Sequence, residues 1–234
     1  MKRLVPLSLV LVLLASALVA TSPATTNAQS AGLVSAVLNR MERNRSSLKS
    51  LRAGLSMEKY NAQLRDADKY QGVILYMPAS GRNASVRIDW KSPAKETLAV
   101  ANGKYTLFKP RLNVAYTGSS NSKKVTTTTG GMMDLLYLSR QQLEARFQPV
   151  QDVREETLWG GVSTIHLTLV PKSGASFKYA EIWVDAAGMP VQTKVVEKNG
   201  DATTMRMTSV ERNVRLNSDE FNVKLDSGVK IIKG

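Results

Sequence analysis

The stretch "SVRIDWKSPAKETLAVANGKYTLFKP", residues 85–110, decides the fold class. Val86, Ile88 and Trp90 alternate with Arg87, Asp89 and Lys91, the period-two pattern of a strand with one apolar and one wet face. Pro93 then imposes a turn. Two further strands meet at Asn102-Gly103, a dipeptide that tolerates left-handed backbone and so signals a tight hairpin. The stretch specifies a sheet and carries no evident chemistry of its own.

Working outward, the same period continues on both sides. Leu51, Ala53, Leu55 and Met57 share one face, Asn61 to Lys69 reads as a polar hairpin loop, and Gly72 to Met77 is an apolar strand stopped by Pro78. Downstream, Ile165, Leu167 and Leu169 alternate with Thr164, His166 and Thr168, which places His166 on the solvent face. Phe177 to Asp185 is a strand closed by the Ala186–Pro190 turn. Val191 to Glu197 and Thr203 to Val210 then flank a Lys198-Asn199-Gly200-Asp201 hairpin. Phe221, Val223 and Leu225 read as a last short strand before Val229-Lys230-Ile231-Ile232. About eleven evenly spaced strands predict a mainly β protein: a strongly curved antiparallel sheet, or incomplete barrel.

Two segments break the period. Ser30 can cap a helix in which Leu33, Val34, Val37, Leu38 and Met41 recur at helical spacing. After Gly130-Gly131, the cluster Met132, Met133, Leu135, Leu136, Tyr137 and Leu138 is too dense for one face of a surface helix. Ser139 and Gln142 have capping-box spacing, so a short helix carrying Leu143 and Phe147 starts there. A helix apolar on several sides either packs in a core or forms a lid over an apolar cavity.

Lys2 and Arg3, an apolar run from Leu4 to about Ala20 and a Ser/Thr/Ala stretch read as a secretory signal peptide, residues 1–28, with cleavage after Thr26-Asn27-Ala28. An uncleaved anchor is the alternative. Residues 29–234 are then expected as one domain exported from the cytoplasm. The chain has no cysteine, so neither disulfides nor N-terminal Cys lipidation contributes. The formal charge is +13, of which Lys2 and Arg3 supply two. Such a balance suits anionic surfaces, but the basic residues are scattered, with only Lys123-Lys124 adjacent after residue 28, which argues against nucleic acid. Anionic membrane head groups are the better match.

The inventory argues against an enzyme. One histidine, no cysteine and no G-x-S-x-G elbow leave no nucleophile with a base, and no metal-ligand spacing appears. The pairs Glu155-Glu156 and Asp66/Asp68 lie in or near turns and read as surface.

The run "GVILYMP…VRIDWKSPAKETLAVANGKYTLFKPRLNVAY" resembles the LolA family of periplasmic lipoprotein carriers: Gly72 leading to Pro78, Ile88-Asp89-Trp90, Pro93, Asn102-Gly103-Lys104 and Tyr105 to Pro110. The order of motifs from Leu169 to Ile232 is similar as well. The resemblance implies an incomplete barrel lidded by helices that holds acyl chains and needs no cofactor. The carrier would be a monomer between an inner-membrane ABC-type lipoprotein transporter and an outer-membrane receptor. Carried over by position, Leu75, Ile88, Trp90, Leu107 and Trp183 would line the cavity, and Met132, Leu135 and Leu136 the lid. Met133, Met205 and Met207 would add adaptable lining. In one departure, Tyr76-Met77 stand where the family places an Arg before the first Pro, and Arg82 lies beyond it, so the latching Arg is missing from its family position. The alternatives are a carrier of another lipid, a regulatory lipid- or peptide-sensing module of the same fold (RseB-like) and, less compatible with the residues, a hydrolase.

Overall fold

The computed structural model describes residues 24–78, 84–121 and 138–234. Among them twelve strands form one sheet. Helix α1 (Ala24–Ser47) precedes β1 (Leu51–Asn61), β2 (Asp66–Met77), β3 (Ser85–Ser92), β4 (Glu96–Ala101), β5 (Lys104–Lys109) and β6 (Val114–Ser119). Helix α2 (Arg140–Arg146) leads to β7 (Gln151–Leu158), β8 (Val162–Leu169), β9 (Phe177–Asp185), β10 (Pro190–Glu197), β11 (Ala202–Arg212) and β12 (Lys230–Lys233). The spatial order is β12-β6-β5-β4-β3-β2-β1-β11-β10-β9-β8-β7, so β1 is central and bridges the two halves. Bulges such as the one between Arg52 and Gly54 add twist and help the sheet curve.

The register puts the expected apolar residues on one continuous inner face. Ala53 pairs with Ile74, Ile74 with Ile88, Ile88 with Leu98 and Leu98 with Leu107 across β1 to β5. In the other direction Met57 pairs with Met205, Met205 with Thr193, Thr193 with Ile182 and Ile182 with Leu167. All these side chains are buried. Each large one contributes roughly 1.5–3 kcal/mol relative to exposure. The Asn102-Gly103 hairpin forms as its sequence demands, with φ of 51° and 73°. The capping box also forms: Ser139 Oγ accepts from the Gln142 amide and the Gln142 side chain accepts from the Ser139 amide.

Helices α1 and α2 cover the β8–β9 end of the inner face, where Val37, Leu38, Met41, Leu143 and Phe147 pack with Leu167, Leu169 and Ile182. Gly188 (φ 86°) lets the β9–β10 turn approach α1 backbone: a Cβ there would lie 2.3 Å from the Arg40 carbonyl oxygen. Asn44 adds an Nδ2 contact to Met189 Sδ at 3.3 Å.

Several sequence-based expectations differ from the fold. Helix α1 runs through Ser30 rather than starting at it. The β1–β2 connection is shorter than the Asn61–Lys69 loop, since both strands extend into it by pairing Asn61 with Asp66. His166 is fully buried, not solvent-facing: Asp152 and Arg154 of β7 flank it on one side and Trp183 of β9 on the other, with Nδ1 3.1 Å from the Asp152 carbonyl oxygen. Phe221 lies in a 3-10 turn (Ser218–Phe221) rather than a strand. The final strand, β12, pairs with β6 in parallel, so the sheet is mixed.

That parallel pairing follows from the route of the chain. Residues 213–229 leave the end of β11, where the Asn213 amide donates to the Ser50 carbonyl, and cross the outer face to the far end of β6. Arg87 holds this strap midway, donating to the carbonyls of Glu220 (3.0 Å) and Asn222 (3.3 Å) while pairing with Asp89. Phe221 is buried beneath it. Asn113 Nδ2 ties the strap's end through the Gly228 carbonyl at 2.9 Å.

Candidate functional site: an apolar trough and its mouth

The inner face divides into two apolar clusters. The second is the helix-covered one just described. The first runs over β1–β5 and β11 and continues to Leu158, Trp183, Met189 and Val191, and among the described residues it has no member from α1 or α2. Its walls include Leu55, Ile88, Trp90, Leu107, Met205 and Met207. Methionine side chains are unbranched and adapt their shape, so Met57, Met205 and Met207 side by side across β1–β11 make a deformable floor. Gly72 sets its geometry, because a Cβ there would stand 2.5 Å from the Asp89 carbonyl oxygen and 3.0 Å from the Trp90 ring. Only glycine lets the Trp90 ring lie against β2 at this point.

At one end the trough gives way to polar groups. Tyr70 meets Trp90 edge to face, with ring centroids 5.8 Å apart. Lys59 Nζ stands 5.5 Å from the Tyr70 ring centroid, and Lys109 pairs with Glu96 at 2.8 Å. Burial holds the Lys59 ammonium below the ordinary lysine range, opposed by Asp68 and Glu96, while Lys109 lowers it further. Burial also pushes the Tyr70 hydroxyl upward. A cation half out of water at the rim of an apolar channel forms a boundary suited to an amphiphile, whose chain lies inside and whose head stays at the rim. Sequence reading passed over this mouth. Its signal was present: the inner positions 51, 53, 55 and 57 lead by the same period to Lys59.

The structure brings Ile88, Trp90, Leu107 and Trp183 together in the first cluster. Leu75 stands apart from them. It is flanked by Arg52 and Arg87 in the ladder, so it faces the outer side of the sheet. Trp183 alternates along β9 with Ile182 and Val184 of the helix-covered cluster, and its ring centroid lies 4.7 Å from that of His166. Met132, Met133, Leu135 and Leu136, together with Arg82 beyond the first Pro, lie outside the described residues. Among the described residues no cluster of three His, Cys, Asp or Glu side chains could hold a metal ion. None of their helices is long and apolar enough to cross a membrane.

These elements define a mainly β protein whose curved sheet carries helices over one end of its apolar inner face. The family model of the outer membrane lipoprotein carrier protein LolA matches residues 60–224, and the chain belongs to that family. Among solved structures, an uncharacterized conserved protein from Thermus thermophilus is similar in fold, with a TM-score of 0.54 and 10% identity over 86% of this chain and 99% of that one. The complex of MucA and MucB from Pseudomonas aeruginosa gives a TM-score of 0.51 and 14% identity over 85% of this chain. There the match spans 62% of the other chain's length. The lipoprotein LppX of Mycobacterium tuberculosis matches with a TM-score of 0.44 and 12% identity, over 79% of this chain and 99% of that one. No curated protein matches the sequence.

Proposed function

We propose that this protein is a periplasmic carrier that takes the acyl chains of lipoproteins into the trough between β1–β5 and β11 and releases them at an outer membrane. The trough itself supports this most directly: a deformable apolar floor with no α1 or α2 residue over it among the described residues, opening at a polar rim. Family membership supports the cargo class, since the matching model is that of a lipoprotein carrier. On this reading an inner-membrane ABC-type transporter loads the carrier and an outer-membrane receptor unloads it. The protein acts by binding rather than by catalysis.

Transfer constrains the mechanism. Each methylene buried contributes roughly 0.8 kcal/mol, so complete burial of several acyl chains would hold the cargo too tightly to hand over. A carrier therefore sets opening of its closed trough against that gain. Ile74, Ile88 and Met205 are fully buried, so an incoming chain must displace whatever packs on them.

The test uses the three tryptophans. Trp90 lines the trough, Trp159 is exposed at the β7–β8 turn and Trp183 faces His166. A brominated fatty acid or brominated acyl-peptide quenches Trp90 in the trough. The quench is lost in Trp90→Phe and kept in Trp159→Phe and Trp183→Phe. Quenching that survives Trp90→Phe undiminished would place the chain elsewhere and refute the site.

A further inference from the structure

We propose that the end of the sheet formed by the β3–β4 turn, the β5–β6 loop and the start of β12 docks onto an anionic lipid bilayer. The strand order puts these three segments at one end, because β3 and β5 finish there while β4, β6 and β12 begin there. Between them and the strap lies a groove of about 540 Å³, with Phe108, Pro110 and Val223 in its lining and Lys91, Lys95 and Lys224 among its polar residues.

Charge identifies the partner. Arg87 and Asp89, and Lys109 and Glu96, neutralise each other in pairs. Among the described residues Lys91, Lys95 and Lys224 form no ion pair, and of the groove's carboxylates Asp89 and Glu96 are taken by Arg87 and Lys109, which leaves Asp219. Arg111 and Lys230 add two more unpaired cations on the adjoining loop and strand. An anionic surface meets this end favourably, and each such cation near it strengthens attachment.

Apolar exposure selects a bilayer over a soluble acidic protein. Leu112 is 62% exposed beside Arg111, and Ile231 is 56% exposed beside Lys230. The two segments are tied, since the Lys230 amide donates to the Asn113 carbonyl. Leu64, 75% exposed at the β1–β2 turn, lies at the same end. Single aliphatic side chains projecting among cations match the boundary between head groups and acyl chains, into which they sink while the ammonium groups stay at the phosphates. Of the other exposed large apolar side chains among the described residues, Tyr60 lies near the end of β1, while Trp159 and Val162 sit at the β7–β8 turn, at the opposite end. This docking does not depend on what the trough holds.

The chain has no cysteine, so single substitutions place a fluorophore uniquely. An environment-sensitive label on Leu112→Cys and, separately, on Trp159→Cys is followed in the full-length protein. Vesicles are phosphatidylcholine with or without phosphatidylglycerol. The label at position 112 is expected to shift to the blue only with the anionic vesicles, and the shift to reverse at high salt, while the label at 159 stays constant. Adding Lys95→Gln and Arg111→Gln should raise the lipid concentration needed for half the shift about 30-fold, roughly fivefold per charge. These four positions are exposed, so thermal unfolding should be unchanged in every variant. No shift at 112, equal shifts at both positions, or a charge variant that binds like the parent would each overturn the proposal.

Discussion

Gly188→Ala isolates the docking of helix α1. The residue has φ 86°, a conformation an L-residue adopts at roughly 1–2 kcal/mol, and the new methyl group would lie 2.3 Å from the Arg40 carbonyl oxygen. Backbone atoms cannot swing aside like a flexible side chain, so the turn and helix must separate, at a further 1–3 kcal/mol or so by analogy with overpacked cores. Gly103→Ala supplies the control, because Gly103 has φ 73° and nothing within 4 Å of its hypothetical Cβ. It should lose only the conformational part. In urea titrations Gly188→Ala is expected to lose about 2–5 kcal/mol and Gly103→Ala about 1–2 kcal/mol. For a domain of this size the first loss corresponds to a melting temperature lower by about 5–15 °C. Hydrogen exchange should accelerate through residues 33–47 only in Gly188→Ala. Equal losses for the two variants would refute the argument that the turn and α1 are held in contact.

Three other outcomes follow from the same structure. Arg87→Ala removes the donor to Glu220 and Asn222 and leaves Asp89 with Thr97 alone, so about 2 kcal/mol should be lost and limited proteolysis should cut within residues 213–229. Met205→Ala empties a fully buried position where β11 meets β1, and about 2–5 kcal/mol of unfolding free energy should disappear in chemical denaturation. The Arg154 guanidinium, donating to Asp152, holds that carboxyl below the ordinary carboxylate range. A lowered folded-state value stabilises the protein above the unfolded-state value, and the contribution is lost as pH falls through the folded-state value. Asp152→Asn should therefore lower the neutral part of the stability curve slightly and meet the parent's curve at low pH, a small effect since both partners are about half exposed.

How far the sequence could be read depended on how many faces of each strand are covered. Leu51, Ala53, Leu55 and Met57 alternate cleanly with polar or small residues, and their inner face was legible at once. So were the Asn102-Gly103 hairpin and the Ser139 cap, because each is a local conformational demand. The run Val73-Ile74-Leu75-Tyr76 has no alternation, and no periodicity can tell whether Ile74 or Leu75 faces inward. Both faces are buried here, the outer one on the side the strap crosses, and Leu75 shares that outer side with Arg52 and Arg87. Ile182-Trp183-Val184 presents the same ambiguity for the same reason. His166 obeys its expected alternation but is covered by the β7 hairpin arm, a long-range contact with no local signature. The parallel β12 and the route of the strap were equally hidden, because nothing in residues 213–229 says which strand the chain will meet next.

The strap also acts mechanically, like a cord laid across the back of a bow. It is fastened at Ser50, at Arg87 and at Asn113, all on strands or beside strands that must move relative to one another if the sheet changes its curvature. A cord on the outside slackens when the bow flattens and tightens when it bends further. The sheet can therefore relax outward and widen its inner channel with these fastenings intact, whereas curling inward stretches them. Resistance is one-sided, and the easy direction is the one that flattens the sheet.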